Sequence, residues 1–154
     1  MGDRGQGMIR GLAVALAVLA SGCRSTDPAE TQAPTSTVNL QAAAQAAVVA
    51  QESDQNREVS RGAGQSMAPI YGDNTILLIA PIAYTDLRPG MNVAYRNPAG
   101  DRIVHTLMYP ENGYWVARGL NNPAPDRDYV TPQNLIGVVY GSFQSDDPAV
   151  TPEE

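Results

Sequence analysis

Short apolar runs alternate with turn-forming residues between residues 59 and 143. The runs are rich in Ile, Val, Leu and Tyr, and clusters of Pro, Gly, Asn and Asp separate them. This pattern predicts short strands joined by hairpins. The predicted strands cover residues 76–80, 92–96, 102–109, 113–118 and 135–143. We therefore expect a mainly β domain over residues 59–143, with hairpin turns at 97–101 and 111–113.

The N-terminal residues have the pattern of a bacterial secretion signal. Basic residues precede an uninterrupted run of small and apolar residues at 11–20, and the chain's single cysteine, Cys23, follows small residues. The run is too short to span a bilayer stably, and a cysteine in this position is typical of a lipoprotein signal. We predict a signal peptide over residues 1–22, with Met8 as an alternative start, and a lipid on Cys23 that binds the membrane. A free or buried thiol is the alternative for this cysteine.

The residue after the cysteine bears on which membrane is bound. Lipoproteins retained at the inner membrane of many diderm bacteria resemble one another in carrying aspartate there, whereas this chain has Arg24. For a diderm source, we therefore expect a location in the bacterial cell envelope, with the outer membrane facing the periplasm favoured over the inner membrane.

Three further segments flank the β domain. Residues 23–38 are rich in Ser, Thr, Pro and Ala, which predicts a flexible tether. Residues 39–56 are rich in Ala and Gln, which predicts a helix capped by Asn39. Because its apolar face is thin, the helix is either a stalk that holds the domain off the membrane or lightly docked on the domain; its glutamines argue against a second membrane anchor. Residues 144–154 are acidic and contain Pro, which predicts a disordered tail.

Charge and composition exclude several classes of function. The formal net charge is -6 and the pI is about 4.6, which argues against a nucleic-acid partner, since phosphate binding needs a concentrated basic surface. The sequence contains no Cys/His pair at zinc-ligand spacing and no dinucleotide-binding fingerprint. Neither a metal nor another cofactor is therefore implied.

Candidate chemistry comes from a set of short motifs in the β domain. They are Gly64-Gln65-Ser66-Met67-Ala68-Pro69, then Gly72-Asp73, the Pro89-Gly90 turn, Ile103-Val104-His105, Gly119-Leu120-Asn121-Asn122 with the later Asp126-Arg127, and Leu135-Ile136-Gly137-Val138-Val139. In this order, over residues 62–143, they resemble the signal-peptidase and LexA-like serine peptidases. The resemblance implies the small β-fold of short strands that this family has, and a peptide or protein substrate.

The basic residues indicate which version of that family the chain resembles. Bacterial signal peptidases and LexA-type autoproteases pair serine with lysine, whereas the endoplasmic-reticulum and archaeal signal peptidases have histidine in that place. All 10 basic residues of this chain are arginines, so a Ser-Lys pair cannot form. The chain is therefore most similar to the histidine type.

The resemblance assigns a role to each catalytic position. Ser66 would be the nucleophile, His105, the chain's only histidine, the general base, and Asp126 the acid that orients the imidazole. A base is required because a serine hydroxyl is a poor nucleophile until its proton is accepted, and histidine exchanges a proton near neutral pH. Leu120 stands where histidine-type relatives carry a first acid, which leaves Asp128 as an alternative to Asp126.

Gly64 and Met67, on either side of Ser66, are the predicted oxyanion or positioning residues. Most signal peptidases have a serine at the position of Gly64, and its hydroxyl donates to the oxyanion; LexA-like members resemble this chain in having glycine. The Ser66 N–H is then the main donor, so we expect slow turnover. Met67 is also a candidate for the core or for the wall of a shallow apolar groove.

Each candidate also has a structural explanation. Ser66 can cap a turn, His105 can be a satisfied sheet residue, and Asp126 can be a turn former beside a proline. Three hypotheses follow: a lipid-anchored serine endopeptidase, a catalytically weak or inactive peptide-binding envelope lipoprotein on the same fold, and a structural envelope lipoprotein with a helical stalk.

Overall fold

A computed structural model describes residues 33–147 of the chain, so the predicted signal peptide, Cys23 and the predicted tether up to residue 32 lie outside the described residues. The elements are helix α1 (Leu40–Glu52) and strands β1 (Glu58–Arg61), β2 (Thr75–Ala80), β3 (Asn92–Arg96), β4 (Arg102–Glu111), β5 (Tyr114–Arg118) and β6 (Leu135–Gln144), with a 3-10 turn at Tyr84–Asp86. The prediction of a mainly β domain is confirmed in this part of the chain.

The strands form one antiparallel six-stranded sheet in the order β1-β2-β6-β3-β4-β5. A turn at residues 97–101 joins β3 to β4, and a two-residue turn joins β4 to β5. In the second turn Asn112 and Gly113 both have positive φ, at 51° and 83°. Asn and Gly tolerate that conformation best, which is why Asn-Gly between two apolar runs forms a tight hairpin.

Strand β1 was not among the predicted strands. Only one of its four residues, Val59, is apolar, so its sequence lacks the alternating pattern of a half-buried strand. It lies at the outer edge of the sheet, where it pairs only with β2 and packs Val59 against the cluster around Ile76. An edge strand needs few buried side chains, which explains why the pattern was missed.

The sheet is strongly curved, and strands far apart in its order approach one another. Register irregularities interrupt the β2–β6, β3–β6 and β4–β5 pairings, and such bulges bend strands and increase their twist. Arg102, at the start of β4, forms an ion pair with Glu58 of β1 and donates to the Ser60 hydroxyl over 3.3 Å. The beginning of β4 therefore faces β1, although three strands separate them in the sheet.

Helix α1 is docked on the sheet. Asn39 caps it, accepting a hydrogen bond from the N–H of Ala42 over 2.9 Å, and Ala43 and Ala47 are buried against Ile76. The helix ends at Glu52, earlier than the predicted residue 56. The Ser53 hydroxyl donates to the carbonyl of Ala50 there, and such local side-chain bonds compete with helix propagation.

The segment predicted to be a tail, residues 144–154, begins as part of the folded domain. Gln144 is the last residue of β6, and the Ser145 N–H donates to the carbonyl of Asn74 over 2.9 Å. The Asp147 carboxylate accepts from the N–H of Leu40 over 2.6 Å, so an acidic side chain lies at the positive end of the α1 dipole. The predicted boundary at residue 143 is therefore too early; residues 148–154 lie outside the described residues.

Candidate active site

Ser66 lies in the turn-rich segment between β1 and β2, and the loop after β5 forms hydrogen bonds to this segment. The carbonyl oxygen of Ser66 accepts from the N–H of Asn121 over 2.8 Å, and the Asn121 side-chain amide donates to the carbonyl of Gln65 over 3.2 Å. A Cβ added to Gly119 would lie 2.6 Å from that same Ser66 oxygen. The Gly-x-Asn-Asn motif therefore packs its backbone directly against the Ser66 turn, and only glycine permits this approach.

Asp73 holds the same turn from the other side. Its Oδ1 accepts from the N–H of Gly64 over 3.0 Å, and Gly64 has a φ of 76°, which favours glycine. Gly72-Asp73 lies in the turn that precedes β2, and its aspartate also fixes the segment that carries Ser66. Gly64 is predicted as an oxyanion or positioning residue; its own N–H is occupied by Asp73, and its positive φ shapes the turn that carries Ser66.

His105 occupies β4, directly opposite Val93 of β3, and is 7% exposed. Its Nε2 lies 3.0 Å from the Ser66 Oγ. The two residues are brought together because the Ser66 turn packs beside the first half of β4. A serine and a histidine within hydrogen-bond distance are the minimum arrangement for an activated hydroxyl.

Asp126 lies in the loop after β5, where its N–H donates to the carbonyl of Ala117 over 2.8 Å. Its Oδ2 is 2.7 Å from the His105 Nδ1. Because a carboxylate only accepts hydrogen bonds, this contact assigns the proton to Nδ1 and leaves Nε2 free to accept from the Ser66 hydroxyl. The three predicted side chains thus form one hydrogen-bonded series.

Tyr95 belongs to this series, and sequence reasoning missed it. Its hydroxyl donates to the same Oδ2 of Asp126 over 2.7 Å. Burial, together with the hydrogen bond to Asp126, raises the pKa of Tyr95 well above its ordinary value of 10.0, so the phenol keeps its proton. The available signal was a tyrosine inside an apolar strand, since a buried phenol needs a hydrogen-bond partner.

The remaining candidates lie near the site but take no part in the series. Asp128 and Leu120 are exposed, and in the described residues the His105 ring makes its hydrogen bonds to Asp126 and Ser66, so the alternative assignment to Asp128 has no geometric support. Met67 is buried and lines the cleft beside Ser66, as expected of an apolar groove residue. No hydrogen bond between described residues uses the Ser66 N–H.

Ser66 and His105 open onto a cleft of about 330 Å³ between β1 and the start of β4. Its lining residues are Ser60, Arg61, Gly62, Ala63, Ser66, Met67, Tyr71, Gly72, Leu77, Arg102, Ile103, Val104 and His105. Both cleft-facing strand segments lack a neighbour on that side in the described sheet. β1 is the edge strand, and β5 pairs with β4 only from Thr106 onward.

Two further kinds of feature are absent from residues 33–147. These residues contain no group of three or more His, Cys, Asp or Glu side chains that could hold a metal ion. No helix within residues 33–147 is long and apolar enough to cross a membrane. Neither a protein-family model nor a curated protein matches the chain.

Proposed function

We propose that this protein is a serine endopeptidase in which Ser66 is the nucleophile, His105 the general base and Asp126 the residue that orients the imidazole. The observation that carries the proposal is the continuous series of hydrogen bonds from the Ser66 hydroxyl through His105 to Asp126, with distances of 3.0 Å and 2.7 Å. A turn cap, a sheet histidine and a turn aspartate have no reason to converge at a cleft.

In the first half of the reaction, the Ser66 Oγ attacks the carbonyl carbon of the scissile peptide bond, and its proton moves to the His105 Nε2. Asp126 keeps the Nδ1 proton in place and stabilises the imidazolium that forms. The tetrahedral intermediate then breaks the C–N bond, and His105 returns its proton to the leaving amine. The products of this half are the N-terminal part of the substrate, held as an ester on Ser66, and the C-terminal part, released with a free amine.

In the second half, water takes the place of the serine hydroxyl. His105 accepts a proton from the water as its oxygen attacks the ester carbonyl, and the proton then goes to Ser66 as the ester breaks. The oxyanion in both halves needs donors that are not already occupied. The Ser66 N–H meets that requirement, and one missing second donor lowers the rate roughly 100-fold or more, so we expect slow turnover.

The substrate is an extended peptide that lies in the cleft between β1 and β4. The Gly62 N–H donates to the carbonyl of Thr75 and therefore points toward β2. Backbone groups alternate in direction along a strand, so those of Arg61 and Ala63 point the other way, toward the cleft. The Arg102–His105 segment of β4 supplies a second edge without a neighbouring strand in the described sheet. Backbone pairing with an edge strand orients a peptide without requiring a particular side chain.

We also propose that the fold is the signal-peptidase and LexA-like one and that a lipid on Cys23 attaches the protein to the cell envelope. The order of the motifs supports the first part, since the elements carrying Ser66, His105 and Asp126 converge. The second part rests on the N-terminal sequence alone. Metabolic labelling with a radioactive fatty acid tests it: wild type incorporates the label in the membrane fraction, and Cys23→Ser does not.

A fluorophosphonate that reacts with activated serines tests the catalytic proposal. Intact-mass analysis of the full chain after labelling should give one adduct for wild type and none for Ser66→Ala or His105→Ala. Ser60→Ala is the matched control, because Ser60 lines the same cleft without contacting His105. The opposite outcome is a folded wild type that remains unlabelled. If that wild type also binds a peptide as tightly as Ser66→Ala does, and neither protein cleaves it, the protein is a peptide-binding lipoprotein.

A further inference from the structure

The Tyr95 hydroxyl and the His105 ring share one oxygen atom of Asp126. Both distances to Oδ2 are 2.7 Å. The sheet register accounts for the arrangement: Tyr95 pairs with Ile103 and Val93 pairs with His105, so Tyr95 and His105 are diagonal neighbours on one face of β3 and β4. Tyr95 is 2% exposed, which leaves its hydroxyl little freedom to choose another partner.

From this geometry we propose that Tyr95 is a positioning residue that acts on His105 through Asp126. It would hold the carboxylate in the plane of the imidazole and withdraw part of the negative charge that Asp126 directs at the Nδ1 proton. The proposal deepens the proposed peptidase function and rests on it.

Sharing one oxygen is what makes the effect specific. A donor to a carboxylate stabilises its charge and weakens it as an acceptor for other donors. Without the phenol, the full charge of Asp126 faces the imidazole and the carboxylate is held by fewer bonds. The imidazolium should then form more readily, while the population of rings aligned with Ser66 should fall.

The other charged groups near His105 are the same in wild type and in Tyr95→Phe, so their effect on the imidazole cancels in the comparison. Asp128 contributes to the electrostatic environment of the Tyr95 phenol, and Arg61 and Arg102 line the cleft onto which His105 opens. Because Tyr95→Phe alters none of them, a change in imidazole titration can be assigned to the missing hydrogen bond. The phenol stays protonated in the wild type, so its own ionisation does not enter the comparison.

The experiment compares wild type, Tyr95→Phe and Tyr84→Phe. His105 is the only histidine, so the proton on its Cε1 gives one identifiable NMR signal whose shift can be followed against pH. Tyr84→Phe is the control, because that hydroxyl donates to the carbonyl of Val130 over 2.9 Å and lies outside the series. Activity is measured as kcat and KM on one peptide.

We expect Tyr95→Phe to raise the titration midpoint of the imidazole by about half a pH unit to one pH unit, and to lower kcat about tenfold with little change in KM. The acid limb of the pH–rate profile should move by the same amount. Tyr84→Phe should change neither. If Tyr95→Phe has the same titration midpoint and the same kcat as Tyr84→Phe, the Tyr95 hydroxyl is only structural and the proposal is wrong.

One further variant, read together with the cleavage assay, separates possible failures. 3-Fluorotyrosine at position 95 keeps the bond with a stronger donor, so it should move the midpoint below that of wild type; this result also serves if Tyr95→Phe folds poorly. A midpoint that does not move contradicts the proposal. If no protein cleaves peptide but the midpoint still moves in both directions, the peptidase function fails while the coupling from Tyr95 to His105 stands.

Discussion

The carbonyl oxygen of Ser66 accepts a hydrogen bond from the N–H of Asn121 over 2.8 Å, so the candidate nucleophile is held by a loop 55 residues further along the chain. The neighbouring Gly119 allows this contact, since a Cβ there would lie 2.6 Å from the same oxygen. The position of Ser66 relative to His105 therefore depends on Gly119 and Asn121, which are not among the residues that line the cleft.

Gly119→Ala should displace the Ser66 turn. A misplacement of about 1 Å at the reacting atoms can lower the rate roughly 100-fold, and we expect a loss of that size in fluorophosphonate labelling rate. Gly141→Ala is the control, because a Cβ there meets its nearest neighbour at 4.0 Å. Equal labelling rates for the two variants would show that the Gly119 contact does not position Ser66.

Asp126→Asn should abolish most of the activity while Asp128→Asn should not. Asparagine at 126 removes the charge that stabilises the imidazolium and can stabilise the wrong ring tautomer, which lowers kcat about 10⁴-fold in serine proteases. Asp128 is exposed and forms no hydrogen bond or ion pair with His105 in the described structure. Steady-state peptide cleavage measures both; a greater loss in Asp128→Asn would transfer the role to that residue.

Much of the sheet was predictable from local patterns, and its spatial order was not. The apolar runs and the Asn112-Gly113 turn give five of the six strands to within a few residues. β1 was not predicted because Val59 is its only apolar residue. The placement of β6 between β2 and β3 depends on long-range pairing, which no short sequence window records.

The candidate site divides in the same way. Motif order pointed to Ser66 and His105, and to Asp126 with Asp128 as the alternative; the structure brings Ser66, His105 and Asp126 together. Local sequence did not separate Asp126 from Asp128, because the loop path decides which carboxylate reaches the imidazole. Tyr95 was missed for a related reason: its partner follows from the register of β3 against β4 and from that loop path together.

Asp73→Ala should loosen the turn that carries Ser66 without unfolding the domain. It removes the acceptor of the Gly64 N–H, a bond of 3.0 Å, at a cost of about 1 kcal/mol in stability. We expect the labelling rate of Ser66 to fall about tenfold as its alignment is lost. Asp86→Ala, at an exposed position in the 3-10 turn, should leave labelling unchanged. A full labelling rate in Asp73→Ala would show that this bond is dispensable.

Arg61 should give the cleft a preference for acidic peptides. The cleft lining contains two arginines and no carboxylate, in a chain of net charge -6. Arg61 is exposed and makes no salt bridge within residues 33–147; its Nε donates to the carbonyl of Asp73 over 2.8 Å. Peptide pairs that differ only by Glu or Gln should differ about two- to fivefold in kcat/KM at low salt, and less at high salt.

Arg61→Gln should remove that preference, and Arg88→Gln should retain it. Arg88 is exposed and donates to the backbone carbonyls of Thr85 and Leu87, outside the cleft lining. An unchanged Glu-over-Gln ratio in Arg61→Gln would assign the preference to Arg102 or to the protein as a whole.

Helix α1 should be part of the folded domain and not an independent stalk. Ala47 is 0% exposed and packs in the cluster around Ile76, whereas the neighbouring Ala46 is exposed. Ala47→Asp buries a charge without a partner and should lower the free energy of unfolding by about 3 kcal/mol. Ala46→Asp has the same chemistry on the exposed face and should cost about 0.5 kcal/mol through helix propensity.

Denaturant unfolding monitored by the single tryptophan, Trp115, measures both variants. Equal values for the two variants would mean that the helix contributes nothing to domain stability in solution.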